Sequence, residues 1–240
     1  MKLLALETTG PIASVALFEE EEITEIRGDE GYNHLTSLIP MMKNLLEKRR
    51  LDLCQLDAVG VSVGPGSFTG IRIGVSTARA LGQATGLPLI AVPTLETFCF
   101  NGGEDGESLR CPILDARRDQ VYGACFKGRE MLIPTGPYSL SNYFSLLEEK
   151  NLERNGKKVF WFGDGVFRYE EKILSWSESK GWESCFAPKE VLYQTAASGV
   201  KLAAQLYVEN HLLSYNQLLP EYHRLAEAER KRQEVLSGEG

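Results

Sequence analysis

The run Gly64 to Gly74, G-P-G-S-F-T-G-I-R-I-G, constrains this 240-residue chain more than any other segment. It follows Ala58 to Val63, an almost wholly apolar stretch that reads as a central strand covered on both faces. The local structure to expect is a strand, a tight turn and a helix starting near Ser67 or Thr69, whose hydroxyls can cap free amides. A P-loop does not fit, because five residues separate Gly64 from Gly70 and no Lys-Ser/Thr pair follows. A nucleophile elbow does not fit either, since Ser67 lies in G-S-F-T-G and has no histidine near it in sequence. A helix start of this kind can hold an anion on its amides; it can equally be a capped start and nothing more. Within the helix, Gly70, Gly74, Ala78 and Gly82 recur every four residues as one small-residue stripe, beside a polar stripe of Arg72, Ser76, Arg79 and Gln83. An interior glycine costs about 1 kcal/mol relative to alanine, so another backbone is expected to approach closely. That backbone belongs either to this chain or to a partner.

Around this run the chain reads as two similar halves. Lys2 to Leu6, Ile12 to Phe18 and Glu22 to Arg27 are expected strands, with turn residues Thr8 to Pro11 between the first two. A helical pattern from Leu35 to Lys48 follows, interrupted by Pro40, where the helix either kinks or begins its regular part. The second half repeats the order. Pro112 to Leu114 and Gln120 to Phe126 form a hairpin, Asn142 to Lys150 a short helix, and Val159 to Phe162 a strand running into Gly163-Asp164-Gly165. Asp115 ends its strand as Glu7 ends the first strand of the chain. This pattern resembles an α/β fold of duplicated βββαβα units, the actin/Hsp70/sugar-kinase-like (ASKHA) architecture of two subdomains. In that architecture, an acidic residue at the end of each first strand faces a nucleotide in the cleft. The expected division is residues 1–105, 106–225 and a charged tail, 226–240, with a Gly/Glu-rich linker from Asn101 to Leu109 and a further helix from Thr195 to Glu209.

Composition narrows the function. With 33 acidic and 26 basic residues the net charge is −7, which argues against a surface that grips a polyanion by itself. The basic cluster Lys48-Arg49-Arg50 sits at a helix end, where it complements the helix dipole. The chain shows no apolar run long enough to span a bilayer and no secretory signal, so a cytoplasmic location is expected. The five cysteines are widely spaced and never C-x-x-C, which reads as buried free thiols. His34, His211 and His223 include no pair spaced i, i+4, so local sequence offers no metal site.

The glycine run, together with L-L-A-L-E-T-T at the start, N-H-L-T-S-L-I-P from Asn33, D-A-R-R-D-Q-V-Y from Asp115 and P-E-Y-H-R from Pro220, resembles the TsaB family over residues 1 to 225. Three positions depart from the family habit: Glu7 stands where Asp is usual, Gln120 where Glu is frequent, and His223 where Leu is common. The resemblance implies a non-catalytic scaffold for forming N6-threonylcarbamoyladenosine at tRNA position 37. It would dimerise with TsaD, the catalytic paralogue, and recruit the ATPase TsaE. Contact with tRNA would be indirect, and no membrane is involved. The expected partner interface is Leu38, Met42 and Leu45 with Gly70, Ile71, Gly74, Val75 and Ala78, and the same surface could pair with itself as a homodimer. The expected nucleotide cleft is Glu7, Asp115, Gly163, Asp164 and Gly165, with ATP or ADP as the ligand to test. No catalytic or metal residue is assigned. A self-sufficient sugar-kinase-like enzyme and a peptidase are the competing readings. Substrate-stimulated ATP hydrolysis by the lone chain would favour the kinase, and a nucleophile within reach of a base would favour the peptidase.

Overall fold

The computed structural model describes residues 1–31, 33–102, 108–150 and 158–223. The charged tail and most of the expected linker lie outside them.

In the first half, β1 (Lys2–Glu7), β2 (Ser14–Glu19) and β3 (Glu22–Arg27) form an antiparallel meander, followed by α1 (His34–Arg49), β4 (Ala58–Gly64), α2 (Phe68–Thr85) and β5 (Leu89–Pro93). The sheet order is β3-β2-β1-β4-β5, with β1 and β5 parallel to β4. In the second half β6 (Leu109–Asp115), β7 (Gln120–Lys127), β8 (Glu130–Ser139), α3 (Leu140–Glu149), β9 (Lys158–Phe162), α4 (Gly165–Lys180) and β10 (Glu183–Phe186) repeat that order as β10-β9-β6-β7-β8. Two copies of one topology, each closed by a parallel fifth strand, are the ASKHA-like two-subdomain fold that the sequence pattern resembled.

Strand β1 shows why the first sheet is covered twice. Its residues are apolar at every position from Leu3 to Leu6, and alternate side chains point to opposite faces. Leu4 and Leu6 pack with α1 and α2 residues such as Leu38, Leu45, Ile71 and Val75. Leu3 and Ala5 pack with Ala196, Val200 and Ala203 of α5 (Ala196–Val208) on the other face. The second sheet encloses an aromatic core: Trp161 is fully buried between Tyr143 and Phe144 of α3 and Trp176 of α4, and Phe144 stacks on Trp176 at 4.6 Å.

Four expectations are corrected. Of the two readings of Pro40, the one that begins the regular helix at the proline is overturned: α1 starts at His34, upstream of it, and runs through it. Cys54 is exposed on a short 3-10 helix, so not every thiol is buried. Asn101 is no linker residue: it is 3% exposed, and its amide donates to the carbonyls of Val191 and Tyr193 and accepts from the Ser198 hydroxyl. A single cut near residue 105 also fails to divide the molecule. Helix α5 packs on the first sheet, Leu213 bridges Leu89, and Leu218 is buried beside α1 and α2, because the outer face of β1 and β2 is apolar and needs a cover that residues 1–105 do not supply.

The basic cluster Lys48-Arg49-Arg50 lies at the end of α1, where the sequence places it. Lys48 and Arg49 occupy the last turn of α1, and Arg49 pairs with Glu19 at 3.1 Å.

Candidate functional site

Two pairs of equivalent loops meet where the halves face each other. The β1–β2 turn and the start of α2 form one lip of a cleft of about 1040 Å³; the β6–β7 turn and the start of α4 form the other. The C-terminal segment closes one side as a strap. The Glu221 amide donates to the Val63 carbonyl at 2.8 Å, and Glu221, Tyr222 and His223 line the cleft. Gly64 has φ +127°, and a side chain there would bring Cβ within 2.5 Å of the Glu221 oxygen. The glycine thus allows both the backbone turn and the passage of the strap.

Of the five expected cleft residues, the structure brings two to the surface of the cleft. Asp115 and Asp164 line it, and Asp164 Oδ1 accepts from the Asp115 amide at 3.0 Å. Burial pushes the Asp164 carboxyl above its ordinary pKa against that hydrogen bond. Asp115 Oδ1 accepts from the Arg117 amide at 2.8 Å, and Oδ2 lies 3.3 Å from Arg168. Glu7 is corrected to a position beneath the floor. It is fully buried, taking hydrogen bonds from the Thr9 amide at 2.5 Å, the Thr9 hydroxyl at 2.6 Å and the Ser62 hydroxyl. Burial raises its pKa, and the Ser62 and Thr9 donors oppose that rise. The longer side chain folds back onto its own turn, where a shorter acid would end earlier. Gly163 and Gly165 do not line the cleft; a side chain on either would press on the Ile113 carbonyl, so they seat α4 against β6.

The expected interface residues are also corrected. Leu38, Met42, Leu45, Gly70, Ile71, Gly74, Val75 and Ala78 are all buried in this chain's own first core. The small-residue stripe packs inward: a Cβ on Gly70 would strike the Thr8 carbonyl, and one on Gly74 would come within 2.5 Å of Thr8 Oγ1. The Thr8 hydroxyl donates to the Gly70 carbonyl at 2.7 Å, which fixes the approach. What the helix pair presents outward is different: Leu35 is 75% exposed and Ile39 49% exposed, four residues apart on α1.

Ser67 caps α2 through its Oγ, which accepts from the Gly70 amide at 3.3 Å. The histidines are dispersed. His34 Nε2 lies 2.8 Å from the Gly10 carbonyl, His211 is beside Glu209, and the buried Nε2 of His223 has no hydrogen-bond partner among the described residues. No group of three His, Cys, Asp or Glu suited to a metal occurs among the described residues.

The cleft also contains residues that reasoning by strand ends missed: Thr9, Phe68, Arg117, Arg118, Tyr122, Gln194, Tyr222 and His223. The signal lay in segments already singled out, D-A-R-R-D-Q-V-Y and P-E-Y-H-R, which converge here. Arg117, Arg118 and Asp119 hold three consecutive left-handed conformations, φ 61°, 52° and 56°, a strained turn that no composition rule announces. Among the described residues, no helix is long and apolar enough to cross a membrane.

Comparison with known proteins agrees with this architecture. The family model described as TsaD, tRNA N6-adenosine threonylcarbamoyltransferase, matches residues 30–134. The chain is similar to the tRNA threonylcarbamoyladenosine biosynthesis protein TsaB of Bacillus subtilis, 30% identical over 241 residues, which span 96% of this chain and 97% of that protein. It is 26% identical to the Escherichia coli TsaB over 227 residues, 93% of this chain and 95% of that one. The solved structure of YeaZ from Pseudomonas aeruginosa matches with a TM-score of 0.72 and 26% identity, covering 92% of this chain and 99% of that one.

Proposed function

This chain belongs to the TsaB family of tRNA threonylcarbamoyladenosine biosynthesis proteins, and from that membership we propose that it is a non-catalytic scaffold subunit acting in the cytoplasm. It takes part in making threonylcarbamoyladenosine. In this reading it pairs with a TsaD-like catalytic subunit of the same fold and supports recruitment of a TsaE-like ATPase, while tRNA contact is left mainly to the partner. The single observation that carries the pairing is the apolar face of α1, where Leu35 and Ile39 stand in solvent beside a filled core. In isolation the same face is available to a second copy of the chain. The scaffold role is further supported by the engagement of the polar groups near the glycine run: Ser67 caps a helix, and His34 faces the Gly10 carbonyl. Co-purification of the tagged chain with a TsaD-like subunit tests the pairing directly; two separately eluting monomers would refute it.

The cleft is proposed to hold ATP or ADP in the assembled complex. Its volume of about 1040 Å³ lies just above the usual range for small-molecule sites, about 300–1,000 Å³. Helix α2, 18 residues long, directs its N-terminus into that space, and Asp115 and Asp164 stand opposite. Calorimetry with nucleotide, on the chain alone and then in the complex, tests this part.

A further inference from the structure

The two lips of the cleft differ in chemistry. The first carries Phe68 with Tyr222 of the strap, ring centroids 4.8 Å apart, and Arg72 lies 3.9 Å over the Phe68 ring with its Nε 3.0 Å from the Tyr222 hydroxyl. The second carries Tyr122 and the exposed turn residues Arg117 and Arg118. The strap joins them: Tyr222 meets the first lip, and its neighbour His223 meets Tyr122, with ring centroids 6.2 Å apart. Four aromatic rings therefore line one cleft, and Tyr222 is still 42% exposed after packing on Phe68.

The charges are arranged unevenly. Asp115 is engaged by Arg168 and by the Arg117 amide, and Asp164 by the Asp115 amide. Glu221 also lines the cleft, on the strap side. The Arg117 and Arg118 guanidiniums pair with no acid among the described residues. In a chain of net charge −7, two unpaired arginines on a strained turn facing a helix N-terminus form a local anion site, with the rings supplying a flat apolar surface beside it.

We propose that the cleft takes a ligand that joins an aromatic base to phosphate. The base stacks at the Phe68–Tyr222 lip, and the phosphates meet Arg117 and Arg118. This rests on the nucleotide reading of the cleft and assigns each part of that ligand to a lip.

The test is calorimetry on the purified full chain with three probes: ADP, adenosine and inorganic diphosphate. Tyr222→Ala should weaken ADP and adenosine about tenfold and leave diphosphate unchanged, which also shows that the variant is folded. Tyr222→Trp, which restores a stacking surface, should recover adenosine binding. The double variant Arg117→Ala, Arg118→Ala should weaken ADP and diphosphate about tenfold and leave adenosine unchanged. ADP binding that survives both Tyr222→Ala and the double arginine variant overturns this assignment alone. A wild-type chain that binds none of the three probes, either alone or in complex with the TsaD-like subunit, overturns the nucleotide reading and this assignment together.

Discussion

Gly70 and Gly74 sit where α2 runs over the Thr8 backbone, and the contact leaves no room for a side chain. Overpacking of this kind costs about 1–3 kcal/mol or more. Gly70→Ala is therefore expected to lower stability by about 2 kcal/mol, and Gly74→Leu, which must also displace Val61, by more. Denaturant melts read both directly; a Gly74→Leu chain that melts like the wild type would show that the stripe does not bear on Thr8. The spacing of the small residues was legible in the sequence as close approach of another backbone. Which backbone was not legible, because four-residue periodicity says that a helix face is narrow and nothing about what lies across it. Glu7 teaches the same lesson. Its acidic character at a strand end could be read, whereas its burial depends on Ser62, which lies 55 residues away in sequence.

Burial sets the sign of the pH effect at Glu7. The folded pKa lies above the unfolded value, so its contribution to stability is complete below the ordinary glutamate pKa, about 4.3, and is lost as pH rises through the folded pKa. Glu7→Gln keeps an acceptor for Thr9 and puts an amide donor where Glu7 accepts from the Ser62 hydroxyl. The expected outcome is that the wild type loses stability relative to Glu7→Gln as pH rises above that point, measured as the difference between two thermal melts at each pH. Asp164 shifts in the same direction but is present in both chains, so it cancels in the difference. Parallel curves for the two proteins would remove Glu7 from the account.

Among the elements, α1 separates cleanly into an inner and an outer face. Leu38, Met42 and Leu45 fill the core, and Leu35 and Ile39 remain outside. Replacing Leu35 and Ile39 with Asp should change stability by no more than about 0.5 kcal/mol each, as for other surface substitutions. The same double variant should no longer co-elute with the TsaD-like subunit, or with itself if the lone chain dimerises. Size-exclusion chromatography of both proteins checks this; an unchanged complex would place the interface on another element. The hairpins, α1, α2, α3 and the central strands were legible because their apolar periodicity is long or uninterrupted. Strand β8 was not. It contains Pro134 and Pro137, which argue against a strand, and it survives because it lies at a sheet edge and its register with β7 shifts. The edge strands β5 and β10 have only five and four residues, too few for a period to declare itself.

For the molecule as a whole, the duplication was visible from repeated order, but the return of the chain was not. Helix α5 and the strap complete the first half from the far end of the sequence, and they bring Gln194, Tyr222 and His223 to the cleft. Such long-range closure leaves only weak local marks, here the Thr195 cap and the P-E-Y-H-R segment. The same closure couples the halves through Asn101 and through Gln194, whose Nε2 donates to Thr9 Oγ1 at 3.1 Å. In the proposed scaffold role, the contribution of this subunit with two sheets lies in what it binds. The measurement that tests this most directly is tRNA threonylcarbamoyl transfer reconstituted from purified subunits, scored for modified adenosine. The account predicts product from the complete set, loss of product when this chain is omitted or replaced by the Leu35→Asp, Ile39→Asp variant, and none from this chain alone. Transfer by the lone chain, or full activity without it, would contradict the account.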